Sequence, residues 1–275
     1  MAVVNLVTGG IFDVVLFPFR TLSPWFGMIF VSLLTAFLML AVFKMTSNQE
    51  AIRRAKNAIK AHLLELRLYK DNMRVSLRAQ GRILRANGRY LAANTKPLLV
   101  MIVPLVLILA QLNLWFGAAA LRPGESTLVK LKLAPGADPL ALEVSVDPSP
   151  GLAVETPPVR IPDEREIAWR IRAPEKGPAA LTFAVAGRTF VKDVAVAGRR
   201  LSKVPTRAVG RSIVQQLLYP GEKPLPGDTP VTSCEVLYAS GGLNFFGISV
   251  NWLVAYFILS IIFGFAFKGL FKVEI

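Results

Sequence analysis

Residues 25–43 read WFGMIFVSLLTAFLMLAVF, nineteen residues without a charged side chain. A helix of about 20 mostly apolar residues crosses the roughly 30 Å hydrocarbon core of a bilayer. Residues 98–116 and 245–267 are two further uncharged stretches, and aromatic residues stand at one or both ends of each stretch, as is typical of membrane–water interfaces. The sequence therefore predicts three transmembrane helices, over 25–43, 97–121 and 244–267.

The composition sets the chain apart from ordinary soluble proteins. Of its 275 residues 53% are hydrophobic and only 18% are charged, whereas a soluble domain carries about 25% charged residues. One cysteine (Cys234) excludes a disulfide framework, and with one histidine (His62) the chain lacks the residues for a cysteine- or histidine-rich metal site. Because no nucleophile–base pair and no Walker A motif stands out, we expect no enzyme activity and no cofactor, and we assign Cys234 no role.

A shorter apolar stretch precedes the first predicted span. Residues 11–19 read IFDVVLFPF and contain Asp13 and Pro18, so the stretch is too short and too interrupted to cross a bilayer. We predict that residues 1–24 form an amphipathic segment lying in the membrane interface. A segment partly inserted into the bilayer is the alternative.

The distribution of charge predicts the topology. The chain has a net charge of +14, and residues 44–96 alone hold 13 lysines and arginines against three acids, a net charge of +10. Short basic loops next to membrane spans stay in the cytoplasm. We therefore expect a prokaryotic plasma (inner) membrane protein with its N-terminus outside, residues 122–243 outside and a cytoplasmic tail over 268–275.

The basic loop 44–96 is predicted to be a cytoplasmic helical hairpin. Its apolar residues from Ile52 to Leu91 recur at gaps of three, four or seven residues, which is coiled-coil-like periodicity. The chain must return to the membrane, and Lys70-Asp71-Asn72 is the best turn signal. We expect the two arms to continue directly from spans one and two.

The basic side chains of the hairpin allow two interpretations. They form a solvated face that only enforces topology, or they attract polyanions such as ribosomal RNA or the anionic inner leaflet. No aromatic interleaving accompanies them, so we expect no sequence-specific nucleic-acid binding. The residues concerned are Arg53, Arg54, Lys56, Lys60, Arg67, Lys70, Arg74, Arg78, Arg82, Arg85 and Arg89.

Residues 122–198 have a different pattern. Short runs of alternating apolar and polar residues are separated by Pro- and Gly-containing turns, which predicts a small antiparallel β-sandwich. Residues 199–243 are predicted to be a connector, with a short amphipathic helix over 208–218 and a strand over 231–238. The predicted fold class is thus an integral membrane α-helical protein with three transmembrane helices, a cytoplasmic helical hairpin and a small all-β extracytoplasmic sandwich domain.

Polar residues inside the predicted spans form the candidate site. In a wet groove they would offer hydrogen-bond partners to a polar segment entering the membrane. The alternative is that they only join helices, worth about 0.6–2 kcal/mol each. This intramembrane polar cluster consists of Ser32, Thr35, Gln111, Asn113 and Asn251.

Two stretches of the hairpin region carry a family resemblance. They are LYKDN (68–72) and NTKPLLVMIVP (94–104). The basic hairpin leads into Lys96-Pro97-Leu98 and a proline-bearing span. It resembles the Oxa/YidC insertase superfamily, in which a similar basic hairpin leads into an Asn-Pro-Leu segment, and the interfacial segment before span one resembles that family too. The resemblance implies an insertase or chaperone for membrane proteins, with nascent membrane proteins or the ribosome as partners beside the lipid bilayer.

The chain also departs from that family. Its first span has no arginine, whereas YidC-like members carry a buried arginine there. It has three spans, as the archaeal relatives and the insertase subunit of the ER membrane complex do, whereas the larger members have five. It also carries an added β-domain between spans two and three. In the predicted orientation most polar span residues fall in the outer half of the membrane, while the family's groove opens to the cytoplasm. These departures favour the alternative function, a non-catalytic scaffold or accessory subunit that binds other subunits of a membrane complex.

Overall fold

The computed structural model describes residues 2–69, 72–174, 177, 179–198, 200–210, 212–245 and 247–274. Three helices among these residues are long and apolar enough to cross a membrane, which confirms the three predicted apolar spans in number. They are α2, α4 and α6 in chain order. The helices are α1 (Ala2–Leu16), α2 (Pro24–Thr46), α3 (Gln49–Leu68), α4 (Met73–Phe116), α5 (Ile213–Leu218) and α6 (Trp252–Phe271), with a 3-10 turn over Phe17–Phe19.

The chain divides into two compact units. One unit comprises Met1–Met28 and Val106–Ala255, and it holds the strands. The other comprises Ile29–Leu105 and Tyr256–Ile275, and it holds the basic hairpin with most of the three long helices. We call them the β-unit and the helical unit.

The hairpin of the helical unit consists of α3, which ends at Leu68, and the first part of α4, which begins at Met73. The Asn72 carboxamide accepts a hydrogen bond from the Val75 backbone N–H at 3.3 Å, which caps the start of α4. Lys70 and Asp71 lie outside the described residues. Across the hairpin, Arg82 donates a hydrogen bond to Glu65 at 3.1 Å.

The first arm of the hairpin is not a continuation of the first span, contrary to the prediction. Helix α2 ends at Thr46, and α3 begins at Gln49. The physical reason is a helix cap: the extended Asn48 accepts the Ala51 N–H through its side chain at 3.0 Å. The second arm does continue into the span as predicted, because α4 is one helix.

Helix α4 stays continuous although it contains Pro97 and Pro104. A proline inside a helix removes a backbone hydrogen bond and leaves a carbonyl without its usual donor. Next to Pro97, the side chains of Asn94 and Thr95 donate to the carbonyls of Tyr90 and Leu91 at 2.8 and 2.9 Å. The carbonyls that Pro97 and Pro104 leave without a helical donor are those of Ala93 and Val100, four residues earlier. The two side-chain bonds therefore add to the turn before Pro97 and do not replace the lost backbone bonds.

The C-terminal segment closes the base of the hairpin. Val273 packs in a small core with Phe43 and Ile52. Beside this core the Lys56 ammonium lies 3.3 Å from the Glu274 carboxylate, and the Glu274 N–H donates to the Gln49 side chain at 2.7 Å. The tail thus holds the start of α3 in place.

The strands of the β-unit form two larger sheets and two short hairpins. One sheet has the order β4-β6-β2-β10-β9, with β5 also paired to β6, and the other has the order β3-β7-β8. The short hairpins are β1-β11 and β12-β13. The strands are β1 (Ala118–Ala119), β2 (Ser126–Leu133), β3 (Val144–Pro148), β4 (Ala153–Val154), β5 (Val159–Ile161), β6 (Glu166–Arg172), β7 (Ala179–Val185), β8 (Arg188–Val194), β9 (Arg207–Val209), β10 (Val231–Val236), β11 (Ala239–Ser240), β12 (Leu243–Phe245) and β13 (Ile248–Val250).

The two larger sheets share one hydrophobic core. Alternate residues of the strands point into it, because side chains of a strand face opposite sides in turn. Leu131 of β2 and Phe183 of β7 are both fully buried there. The Trp169 ring of one sheet meets the Phe183 ring of the other edge-on with centroids 5.5 Å apart, and Phe183 stacks on Phe190 at 5.2 Å.

Two boundaries of the predicted domains are corrected by these elements. Residues 199–243 are more than a connector, since β9 and β10 belong to the larger sheet and the predicted helix 208–218 shortens to α5. The third long helix begins at Trp252 and ends at Phe271, so the predicted span 244–267 is displaced. The first residues of the predicted span instead form the β12-β13 hairpin. This hairpin is apolar and uncharged, so hydropathy alone does not distinguish it from a transmembrane helix.

The core position of Phe183 gives a test of this architecture. Phe183→Ala removes a fully buried ring that contacts both Trp169 and Phe190, and we expect it to lower the free energy of unfolding of the β-unit by about 3–5 kcal/mol. Urea unfolding of the full chain in detergent, followed by tryptophan fluorescence, measures the change. Val159→Ala, at a position 54% exposed, is the control and should change the stability by less than about 0.5 kcal/mol.

Candidate functional site

The helical unit contains a cavity of about 500 Å³ between α2, α4 and α6. This volume lies in the range of small-molecule binding pockets, about 300–1,000 Å³. We call it the groove. It is lined by Thr35, Ala36, Met39, Leu40, Phe43, Leu98, Met101, Ile102, Leu105, Tyr256, Phe257, Ser260, Ile261, Gly264 and Phe265.

The spacing of the lining residues explains why the groove exists. Each helix contributes one face, because residues three or four apart lie above one another on a helix. On α6 this face contains Tyr256, Ser260 and Gly264, so a large residue is followed by two small ones. A Cβ placed at Gly264 would meet no atom within 4 Å. The small residues on α6 therefore leave the space open.

The walls of the groove are apolar except for hydroxyl groups. No lining residue is charged. The Thr35 hydroxyl donates to the Val31 carbonyl of its own helix at 2.8 Å. The Tyr256 hydroxyl is buried and interacts with the hydroxyls of Thr35 and Ser260, although within the described part of the chain neither Tyr256 nor Ser260 makes a hydrogen bond of ordinary geometry. The three hydroxyls form a small polar cluster on the groove wall, with which a bound group could exchange hydrogen bonds.

The structure divides the predicted polar cluster between the two units. Ser32 and Thr35 belong to the helical unit, and both are buried on α2. Thr35 lines the groove, whereas Ser32 does not line it and its buried hydroxyl lacks a hydrogen-bond partner among the described residues. Gln111, Asn113 and Asn251 belong to the β-unit.

Two of the three polar residues of the β-unit, Gln111 and Asn251, make a side-chain hydrogen bond within that unit, and Asn113 lies at the end of α4. Gln111 donates to the Thr8 hydroxyl of α1 at 3.0 Å. Asn113 lies in the last turn of α4, and its carbonyl accepts the Gly117 N–H at 2.8 Å. Asn251 is exposed, and its side chain accepts the Leu253 N–H at 2.9 Å at the start of α6. Asn251 is thus a helix cap.

Sequence reasoning missed the most informative groove residue, Tyr256. Its side chain is only 1% exposed although it stands in an apolar helix. A signal was present in the spacing of Tyr256, Ser260 and Gly264, four residues apart each time, which puts a polar and small stripe on one face. Two methionines, Met39 and Met101, also line the groove. Met45, which lies near them in sequence, is 84% exposed and does not line it.

The basic residues of the hairpin point outward. Arg53, Arg54, Lys60 and Arg67 are exposed on α3, and the five arginines from Arg74 to Arg89 are exposed on α4. Lys56 is half-buried against Glu274, and Lys70 lies outside the described residues. Since only Arg54, Lys56 and Arg82 of these form ion pairs among the described residues, most of the positive charge is open to a partner.

A second cavity, of about 670 Å³, lies within the β-unit and is lined by residues of α1, α4, β8 and residues 220–224. Asp13 on its wall lies 2.6 Å from the Lys203 ammonium and 3.1 Å from the Arg20 guanidinium. Its charged lining residues are of both signs: Asp13, Asp193, Lys203, Glu222 and Lys223. The acids and bases largely neutralise one another, so the lining shows no selective charge.

Glu222 and Lys192 form a buried ion pair beside this cavity. Their side chains are 5% and 0% exposed, and the Lys192 ammonium also donates to the Pro205 carbonyl at 2.8 Å. Burial raises the pKa of the Glu222 carboxyl to about 7, although the charge of Lys192 opposes that rise. The pair joins β8 to the segment of residues 205–222.

Cys234 has the properties of a structural residue. It is fully buried in the β-core, and burial raises the pKa of its thiol to about 12. A thiol in this state is a poor nucleophile and metal ligand, because the thiolate is the reactive form. Within the described ranges, no group of three or more His, Cys, Asp or Glu residues could hold a metal ion.

The raised pKa of Glu222 predicts a pH dependence of stability. The folded pKa of about 7 exceeds the ordinary value of 4.5, so the folded state binds more protons between these values. The contribution is fully present below pH 4.5 and is lost as the pH rises towards 7 and above it. Glu222→Gln should remove this slope, which is on the order of 3–4 kcal/mol at about 1.4 kcal/mol per pKa unit. Urea unfolding at pH 4.5, 6 and 8 measures it.

The control for this prediction is Asp228→Asn, an exposed acid paired with Arg188 at 2.6 Å. It should leave the pH slope of the parent chain unchanged. An equal slope in the parent chain and in Glu222→Gln would contradict the raised pKa.

Comparison with known proteins adds no further identification. The chain matches no protein-family model, no curated protein and no solved structure. Its function is therefore inferred from its own residues and their geometry.

Proposed function

We propose that the chain is an insertase or chaperone for membrane proteins of the Oxa/YidC type. The observation that carries the proposal is the groove, with the buried hydroxyls of Tyr256 and Ser260 on its wall, on the same helical unit as a strongly basic hairpin. The proposed site is the plasma membrane of a prokaryote, with the N-terminus outside and the C-terminus in the cytoplasm.

The proposed orientation follows from charge. The loop of net charge +10 stays in the cytoplasm under the positive-inside rule. Thr35 to Phe43 is the part of α2 nearer the hairpin, and Leu98 to Leu105 is the part of α4 nearer it. In this orientation the α2 and α4 walls of the groove lie in the cytoplasmic half of the bilayer, and Tyr256 and Ser260 lie in the first half of α6, nearer the middle and the outside. The polar residues that the sequence places in the outer half, Ser32, Gln111, Asn113 and Asn251, do not line the groove.

The proposed action lowers the free-energy barrier to insertion. A polar group that enters hydrocarbon without a hydrogen-bond partner costs several kcal/mol. The Tyr256 and Ser260 hydroxyls can donate to, or accept from, the polar groups of an entering segment. Apolar side chains such as Met39 and Met101 can pack on the same segment, and methionine adapts to many shapes. The basic hairpin would hold the ribosome or the nascent chain near the groove by electrostatic attraction.

A scaffold or accessory subunit is the second candidate function. The observation that favours it is the β-unit, which presents a folded β-domain of its own, together with a groove that lacks a charged residue. In that case a helix of a neighbouring subunit would occupy the groove permanently. Purification in mild detergent separates the two functions: a fixed set of subunits supports the scaffold, and ribosomes or varied nascent chains support the insertase.

Filling the groove tests the proposal directly. Gly264→Leu places a side chain into open space on the groove face of α6, whereas Gly269→Leu adds the same side chain where no groove lies. We expect Gly264→Leu to reduce insertion of a short-tailed client several-fold and Gly269→Leu to leave it unchanged. Insertion is measured by protease protection in proteoliposomes containing the purified chain.

Two controls keep this test informative. Thermal unfolding of both variants in detergent should show equal stability, so that a folding defect is not mistaken for a blocked groove. Full insertion activity in Gly264→Leu would overturn the role of the groove.

The proposed topology has its own test. In a Cys234→Ala background, cysteine replaces Val159 of β5 or Leu68 of α3, which are 54% and 74% exposed. A membrane-impermeant maleimide should label the Val159 position in intact cells and the Leu68 position only after permeabilisation. The reverse pattern would contradict the orientation.

A further inference from the structure

The second arm of the hairpin carries an unpartnered apolar stripe. Leu77, Gly81, Leu84, Gly88 and Leu91 follow one another at gaps of four and three residues. This is the spacing of the a and d positions of a coiled coil, which places all five on one face of the helix. We call this face the Leu/Gly seam.

The seam is exposed although it has the pattern of a helix interface. Leu77, Leu84 and Leu91 are 60%, 72% and 64% exposed. The arm packs within the hairpin through a different face, on which Ala79 and Ala86 are buried. The hairpin therefore uses one face of α4 for its own folding and leaves the other uncovered by the residues that the structure describes.

The two glycines indicate what kind of partner the seam fits. Glycine inside a helix is less favourable than alanine. A Cβ at Gly81 or Gly88 would meet no atom within 4 Å, so the packing of this chain does not demand glycine at either position. Glycines between leucines leave shallow holes on the helix surface, and a side chain of a second helix can enter such holes as a knob. A lipid surface gains nothing from holes of this kind.

The charge beside the seam indicates the sign of the partner. The second arm, 73–96, contains five arginines and one lysine and no acid. Arg78 and Arg85 directly follow seam leucines and are exposed, so they stand at the flanking positions that set partner choice in coiled coils. A second copy of this chain would bring another hairpin of net charge +10 against the first.

We propose that the Leu/Gly seam is a docking surface for an acidic amphipathic helix of a partner protein. Apolar residues of that helix fill the holes at Gly81 and Gly88, and its flanking carboxylates pair with Arg78 and Arg85. This inference requires only the hairpin. It stands whether or not the groove accepts a client.

The test uses the full chain in phosphatidylcholine nanodiscs and a fluorescent three-heptad peptide with leucine at a and d and glutamate at e and g. We expect saturable binding in fluorescence anisotropy, and no binding of the same peptide with lysine at e and g. Leu84→Gln should weaken binding at least about 10-fold, as for a central interface residue. Leu64→Gln, an equally apolar exposed position of α3 outside the seam, is the matched control and should leave affinity unchanged.

Two further variants separate shape from charge. Gly81→Ala with Gly88→Ala fills the holes while favouring the helix, so binding should weaken several-fold as helicity by circular dichroism stays equal or rises. Arg78→Gln with Arg85→Gln should weaken binding and flatten its dependence on salt.

Several outcomes would overturn the proposal. They are no binding of the acidic peptide at micromolar concentration, equal loss in Leu84→Gln and Leu64→Gln, or equal binding of the acidic and lysine peptides. Sedimentation showing a dimer that Leu84→Gln dissociates would assign the seam to a second copy. Binding to phosphatidylglycerol vesicles that displaces the peptide and is lost in Leu84→Gln would assign it to the membrane surface.

Discussion

The helical unit depends on the need to satisfy every backbone polar group along α4, where a hairpin arm becomes an apolar helix. Two prolines interrupt the hydrogen-bond ladder of this helix, and in hydrocarbon no water could replace the missing bonds. Pro97 takes the helical donor from the Ala93 carbonyl, and the side chains of Asn94 and Thr95 add hydrogen bonds to the carbonyls of the preceding turn. Because α4 stays one helix there, the seam on its arm and the wall of the groove belong to the same element.

The base of the hairpin is held by a helix cap together with contacts from the C-terminal segment. The cap at Asn48 separates α2 from α3, and a break alone would leave α3 free to pivot. The tail prevents this, since Val273 packs on Ile52 and Glu274 bonds both Gln49 and Lys56. Burial of a few apolar side chains and two polar contacts therefore fixes the direction of the first arm.

Hydropathy and periodicity predict only those features of the fold that composition and residue spacing determine. They predicted three apolar helices, two helical arms between the first two of them, and the strand pattern of β2 and β6, because these follow from burial on one face. They failed where a β-hairpin and a transmembrane helix have the same apolar, uncharged composition. The β12-β13 hairpin is apolar and uncharged like a membrane helix, and only the cap at Asn251 and the positive φ of Gly247 mark the difference.

The groove was not predictable in the same way, because its key residues come from three separate helices. The sequence singled out Thr35 and did not single out Tyr256, whose burial depends on packing that no local pattern reports. The pairing of Asp13 with Lys203, 190 residues apart, is another contact of this kind. Long-range juxtaposition is where reasoning from single-sequence patterns ends.

The chemistry of the groove limits what it could admit. Its volume of about 500 Å³ is open between helices and lacks a charged wall, so it could cover one face of a helical segment and leave the other face to lipid. A segment with hydroxyl or amide groups would find the Tyr256 and Ser260 hydroxyls as partners, whereas a buried carboxylate or ammonium would find no counter-charge and would be costly to desolvate. Under the proposed function, the positive charge of the chain acts before the groove, at the hairpin. Capture of a client by charge and its insertion with hydroxyl partners would then be separate steps, at the two ends of the part of α4 that belongs to the helical unit. A client would therefore need acidic groups outside its apolar segment more than it would need polar groups within that segment.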